Sequence, residues 1–431
     1  MKNYLQTTIL AVMLMLPFTL SAQTETPATE FKVSAELRTK GEYRAGIKKL
    51  MLKDELGLLV ISQRSRLNFD YTSEKLDVRI SFQDARSFGQ GTIIARENPS
   101  VPALLYEGWA KYKFNAKLGI KMGRVELHYG DARLIGNKGW QNHGASHDVI
   151  VAEYENPDHK SVVHIGFASN TSNDFAYNTT LADNYIVNNY KHMAYLWYSN
   201  QLTEGIKMNF INLAEGFQKP NTPTTSYVIN TIGTNIIFNQ NNMLIDAAFY
   251  YQAGKDKSSA DTKAMNAVLY AGYNFGKITP TIGYEYFSGK AHDDTDGTVK
   301  TFNVMHWSGH ARLGYMDYFL TIPTGGMTDI TARLDYKLND KANITGHFHN
   351  FSLANEMMKG TTVVEKSLGN EIDMEFKYTF GKGMMLAGGY SVMIGTENLE
   401  NLQGIPADKV GFSQFGWVML TFKPSLFVYT K

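Results

Sequence analysis

Arg38, Arg64, Arg66 and Arg79 stand among Glu36, Glu42 and Asp70 at mostly even spacings early in the chain, and Arg333 with Asp335 repeats the arrangement far downstream. Guanidinium groups set among carboxylates can attract an anion and replace its water, while the acids hold the arginines in place by pairing. Other chemistry is present only in fragments. His143, Ser146, His147 and Asp148 supply the residue types of a hydrolase. A nucleophile must reach its base, and adjacent residues of an extended chain point opposite ways, so Ser146 and His147 make a poor pair. His347 with His349, and His306 with His310, each offer two metal ligands where a site needs three or four. Asp293-Asp294-Thr295-Asp296-Gly297 resembles part of a calcium loop but lacks the closing bidentate glutamate, so a solvated loop is the better reading and calcium the lesser one. There is no GxxxxGK[ST], no HExxH and no nucleotide fingerprint. The expectation is no enzyme and no cofactor.

Period two decides where these side chains point. Over Glu30 to Arg44, Phe31, Val33, Ala35 and Leu37 fall on one face, and Lys32, Ser34, Glu36, Arg38, Lys40, Glu42 and Arg44 on the other. Ile61, Leu67, Phe69 and Tyr71 oppose Arg64, Arg66, Asn68 and Asp70. Leu76, Val78, Ile80 and Phe82 oppose Asp77, Arg79, Ser81 and Gln83, and the division returns at 329–337 and 371–378. Successive strand side chains point to opposite sides, so each segment is a strand with one apolar and one charged face. No long segment shows the helical period. Lys191–Ser199 and Tyr227–Phe238 alternate poorly.

Lys2, the apolar run Ile9–Leu20 and the small residues Ser21 and Ala22 read as a secretory signal cut after Ala22, leaving 23–431 as one domain. No later segment reaches the roughly 18 consecutive apolar residues of a membrane helix. That leaves the periplasm, the exterior or an outer-membrane barrel. With no cysteine, the chain uses no disulfides. Its 42 basic and 41 acidic residues cancel, which removes the field a nucleic-acid partner needs. The 25 Tyr, 24 Phe and 37 Gly suit strands that are apolar on one side, in a barrel or in a soluble sandwich alike.

The connections separate those two. Thr72–Lys75, Asn115–Lys117, Gln201–Glu204, Asn239–Asn242, Gly276–Lys277, Asn339–Lys341 and Gly381–Gly383 are tight turns. Between them run longer polar loops, Ser87–Ala103, His128–Ala145, Asn170–Asn189, Ser288–Met327, Ser352–Lys366 and Thr396–Gly411. Short periplasmic turns and long external loops are the asymmetry of an outer-membrane barrel. The expected fold is therefore all-β: a transmembrane antiparallel up-and-down β-barrel of about 18 strands, with 16 the other even count the boundaries allow. Tyr71, Tyr112, Phe114, Phe275, Tyr378 and Phe380 sit near strand ends, where an aromatic girdle and ordinary β-propensity both place such residues. The last strand, Phe412–Lys423, and the tail residues Phe427 and Tyr429 resemble the signal read by barrel-assembly machinery, apart from Pro424. Only the polar stretch Thr24–Thr29 precedes the first strand, so no plug domain is expected.

Met122–Trp140, MGRVELHYGDARLIGNKGW, resembles the signature of the alginate export family. Gln63-Arg64-Ser65-Arg66-Leu67, Gln83-Asp84-Ala85-Arg86, GYEYFSG at Gly283–Gly289 and HARLGYMDYF at His310–Phe319 resemble further blocks of that family, in order, over about three quarters of the chain. The resemblance implies a monomeric 18-stranded outer-membrane barrel that passes an anionic polysaccharide past basic side chains. It brings in Arg124, Asp131 and Arg133 as pore residues. Parity puts Arg124 towards lipid, where an arginine costs about 2–4 kcal/mol at the midplane, so a bulge at Gly123 is expected to swing it inward. Glu36, Glu42, Asp70, Glu371, Asp373 and Glu375 share the inward face, which points to a mixed field more than a cationic tunnel.

The expectation is a porin-like channel in the bacterial outer membrane for passive passage of polar or anionic solutes, with anionic polysaccharide or its fragments the substrate the resemblance implies. Its pore-lining residues are Arg38, Arg64, Arg66, Arg79, Arg124, Asp131, Arg133, Arg333, Glu36, Glu42, Asp70 and Asp335. The loop Ser288–Met327 is expected over or in the mouth. The expected partners are the lipid bilayer and lipopolysaccharide, the assembly machinery and an anionic solute, without nucleic acid. The alternative is a barrel whose external loops bind a surface partner, transport being incidental.

Overall fold

The computed structural model describes residues 29–90, 103–170, 189–219, 222 and 225–431; the expected signal peptide lies outside them. Eighteen antiparallel strands close into one barrel. The first six are β1 Glu30–Ala45, β2 Leu58–Thr72, β3 Leu76–Ser87, β4 Leu104–Lys113, β5 Leu118–Val125 and β6 His147–Asn156. Then come β7 Ser161–Ser169, β8 His192–Thr203, β9 Ile206–Gln218, β10 Ser226–Gln240, β11 Met243–Lys255 and β12 Asp261–Tyr273. The last are β13 Ile278–Phe287, β14 Met327–Asn339, β15 Ala342–Ser352, β16 Ser367–Gly381, β17 Met384–Gly395 and β18 Ser413–Phe422. Lys423 and Pro424 interrupt β18, and Ser425–Thr430 then continues it along β1. Proline has no N–H to give a ladder, which accounts for the break. β1 pairs with β2 on one side and β18 on the other, so no edge is left open. No helix among the described residues is long and apolar enough to cross a membrane; the strands cross it.

The radial sorting follows the alternation. On β1, Arg38 is 5 % exposed while its neighbour Leu37 is 39 % exposed. Ile61, Leu67, Ile80, Phe82, Ile330 and Leu334 face out in the same way. Aromatic pairs gather at the short-turn end: Tyr112 with Phe114 at 5.3 Å, Tyr273 with Phe275 at 4.7 Å and Tyr378 with Phe380 at 4.7 Å between ring centroids. With Phe114, Phe275 and Phe380 exposed, this is a girdle at one interface.

β8 and β10 alternate regularly in burial, although their sequences do not alternate cleanly in polarity. Their inward positions carry Met193, Tyr195 and Ile229, which join one apolar cluster with Ile135, Trp307, Met316 and Phe319 from the loops. Both faces of these strands therefore carry apolar residues. The loops 126–146 and 288–326 fold into the barrel and bring a hydrophobic core with them.

Candidate functional site

The infolded loops meet the charged wall residue by residue. Arg38 donates from Nη1 to the Gly139 carbonyl at 2.6 Å, and from Nη2 to the Trp140 and Gln141 carbonyls and Asn142 Oδ1 at 3.2, 3.0 and 3.1 Å. Arg64 donates from Nε to Glu36 Oε1 at 2.7 Å, and Lys423 Nζ lies 3.1 Å from the other oxygen of that carboxylate. Lys40 pairs with Glu42 at 3.1 Å and lies 3.9 Å from the Trp140 ring centroid. Trp140 stacks on His310 at 4.0 Å. Arg66 lies 3.6 Å from the Tyr106 ring centroid and donates to Gln83 Oε1 at 2.6 Å; Gln83 in turn donates to the His143 carbonyl at 2.9 Å.

A second anchor lies across the lumen. Arg133, 1 % exposed, donates from Nε and Nη2 to the two oxygens of Glu285 on β13, both at 2.9 Å, and from Nη1 to Asp131 Oδ2 at 2.6 Å. Tyr250 donates to Asp131 Oδ1 at 2.9 Å, and Arg312 from the long loop donates to the Asp131 carbonyl. Burial works to raise the Asp131 carboxyl, but the charges of Arg133 and Arg312 and the hydrogen bonds from Arg133 outweigh it and hold the group below the usual carboxylate range. Asp131 and Arg133 therefore clamp loop to wall.

Arg124 is a correction. β5 runs in register with both β4 and β6 through Gly123, with no bulge there. Arg124 keeps its parity, stays outward at 40 % side-chain exposure and pairs with Asp148 at 2.9 Å. The next residue, Val125, ends β5 at the long-loop end, away from the costly midplane. The bulge falls instead on β4, where the β3 register steps from Ser81–Glu107 to Phe82–Leu105. It turns both Tyr106 and Glu107 inward and buries them. No glycine marks that position.

The half of the barrel nearer the short turns is more open. There Arg79 pairs with Asp70 at 3.0 Å and Glu107 at 2.7 Å, and Arg333 with Asp335 at 2.8 Å. Lys111 and Lys121 both reach Glu153 at 2.7 Å. The side chains of Arg79, Arg333, Lys377 and Lys423 keep 32, 48, 42 and 60 % exposure. On the other side of the infolded loops a cavity of about 680 Å³ is lined by Asn137, Lys138, Gln141, Asn303, Trp307 and Thr321 among others.

The remaining candidates separate. His147 Nδ1 lies 2.8 Å from the Tyr190 hydroxyl, His306 Nε2 lies 2.7 Å from Glu215 and His310 Nδ1 lies 2.8 Å from Asp317, so each of these histidines is engaged with a different side chain. Asp294 and Asp296 pair with Lys290 and Lys300.

A family model described as "Alginate export" matches residues 31–401. Pseudomonas aeruginosa OccK3 (OpdO) is similar in structure at TM-score 0.61 and 11 % identity, over 92 % of this chain and 96 % of that one. Acinetobacter baumannii OccAB4 gives 0.60 and 13 % over 93 % and 99 %, and OccAB1 of the same organism 0.63 and 11 % over 92 % and 97 %. At such identities the likeness shows the fold alone. Among curated proteins nothing matches.

Proposed function

The chain belongs to the alginate export family, a porin-like channel of the bacterial outer membrane and not an enzyme, and from that premise we propose that it passes polar or anionic solutes passively through its lumen, carboxylated polysaccharide or its fragments among them. The observation that carries this reading is the charged wall of the short-turn half, where Arg79, Arg333, Lys377 and Lys423 stay open to solvent among Asp70, Glu107, Asp335 and Glu375. Fixed charges of both signs replace the hydration of a polar solute without trapping one species, which favours passage over storage. The interleaved acids support a broad class of solutes over a single polymer. Arg38, Arg64 and Arg133 support it indirectly, by holding the loops that narrow the path.

The inward course of the loops 126–146 and 288–326 favours a channel over display of those loops to a surface partner. Closure of β1 on β18 within one chain means that the barrel needs no second copy to close, in keeping with a monomer, and the amphipathic strand β18 suits recognition by the assembly machinery. Planar-bilayer recording tests the reading. Stepwise conductance, with a reversal potential that moves towards cation preference in an Arg79→Glu, Lys423→Glu variant, is the expected result. Absence of conductance from folded protein sinks it.

A further inference from the structure

His347 and His349 share the inward face of β15, and β16 sets Asp373 opposite His347 and Glu371 opposite His349. His349 Nε2 faces His347 Nδ1 at 3.1 Å and Asp373 Oδ2 at 3.7 Å. Its other ring nitrogen, Nδ1, lies 2.7 Å from Asp329 Oδ2. A proton on that nitrogen leaves Nε2 with its lone pair aimed at the point between His347 and Asp373. A carboxylate behind the imidazole is also the arrangement that orients metal-ligating histidines.

The surroundings call for a cation. Asp329, Glu371 and Asp373 are 0, 0 and 1 % exposed. Among the described residues no lysine or arginine forms an ion pair with any of them; Asp329 and Asp373 have His349 as their charged partner. Asp329 Oδ1 and Glu371 Oε2 have no hydrogen-bond partner, while Asp373 is set beside Ser391, Glu371 and the Tyr315 backbone. Buried carboxylate oxygens without partners are costly, and a metal ion removes that cost.

We propose that His347 Nδ1, His349 Nε2 and Asp373 Oδ2 hold one divalent transition-metal ion of the zinc class, with Asp329 as positioning residue. Metal–donor bonds of about 2.0–2.2 Å at the tetrahedral angle separate donor atoms by about 3.4 Å, between the 3.1 and 3.7 Å found here. A water completes the coordination. The ion staples β15 to β16 beneath the loop segment whose Met316 N–H donates to Glu371 Oε1 at 2.8 Å. This site is independent of the transport reading, and either stands if the other falls.

The test uses the purified barrel in detergent, stripped with chelator and titrated with Zn²⁺ by calorimetry and with Co²⁺ by visible absorption. One equivalent per chain, a four-coordinate Co²⁺ band and a raised unfolding temperature are expected. His347→Gln, at a half-buried position, should weaken binding at least about 100-fold while heat-modifiable gel mobility shows the barrel closed. Asp329→Asn, which keeps an acceptor for His349 Nδ1, should weaken it about 10- to 100-fold. Lack of stoichiometric binding overturns the proposal, as a proton shared among the carboxyls would give. Unchanged binding in His347→Gln also overturns it and directs attention to Glu153, Glu155 and His164.

Discussion

Arg133 and Glu285, 152 positions apart in sequence, form a buried two-point ion pair in which both hydrogen bonds measure 2.9 Å. Arg133 belongs to the Met122–Trp140 block, Glu285 to GYEYFSG, and Arg312, on the Asp131 carbonyl, to HARLGYMDYF. Arg64 and Gln83, from the two remaining blocks, reach the same infolded loop at Gln141 and His143. The stretches that resemble one family thus meet in space, and what they jointly build is the attachment of two loops to the barrel wall.

Removing one partner of a buried ion pair strands the other, at about 3–5 kcal/mol. Glu285→Gln should therefore release the loop 126–146, raise conductance and make that loop sensitive to protease. Arg133→Met with Glu285→Leu, which leaves Asp131 only the charge of Arg312 and the Tyr250 hydroxyl, should recover part of the thermal stability. Equal stability in the single and double variants counts against the clamp.

Arg38 separates two roles by experiment. Its guanidinium is spent on four acceptors of Gly139–Asn142, and hydrogen bonds from a charged group contribute about 1.5–3 kcal/mol each, non-additively. Arg38→Ala should loosen the tether by at least about 2 kcal/mol, seen as larger and noisier single-channel currents with ion selectivity nearly unchanged. Arg38→Lys should behave similarly, because an ammonium lacks the fork that spans several carbonyls. A selectivity change without a change in current size would make Arg38 a solute contact instead.

Arg79 and Lys423 lie where the wall is open, with 32 and 60 % side-chain exposure. Reversing both charges should move the reversal potential in a salt gradient towards cations, and the shift should shrink at high salt as screening shortens the range of the field. A shift that does not depend on salt points to altered loop packing.

The pH response of the Asp131 anchor has a fixed sign. Its folded carboxyl lies below the ordinary value of 3.8, owing to Arg133 and Arg312 acting against burial. The stabilisation is complete above that value and is lost as pH falls through the lowered one. Loop release, followed by current noise or proteolysis, should set in only below about pH 4. Asp131→Asn should show the released behaviour already at neutral pH and lose the acid-dependent step.

Period two, the even strand count and the alternation of short turns with long loops are written locally, since a strand side chain's direction depends only on its neighbours' backbone. That is why the charged faces of β1, β2, β3, β14 and β16 turned inward as their spacing required, and why Arg124 obeyed parity and faces out. Four other features depended on residues distant in sequence. The polarity of β8 and β10 was blurred because Met193, Tyr195 and Ile229 serve a core completed by Ile135 and Trp307. Arg38 and Arg133 read as pore charges because an arginine's partner cannot be named from its own segment. The bulge at Tyr106 follows from pairing with β3, which no residue type at that position announces. The third ligand for His347 and His349 is Asp373 on the adjacent strand, set in place by the β15–β16 register. Local spacing determined which way each side chain points; only the closed barrel with its infolded loops decided what it meets, because those contacts join segments that are neighbours in space and not along the chain.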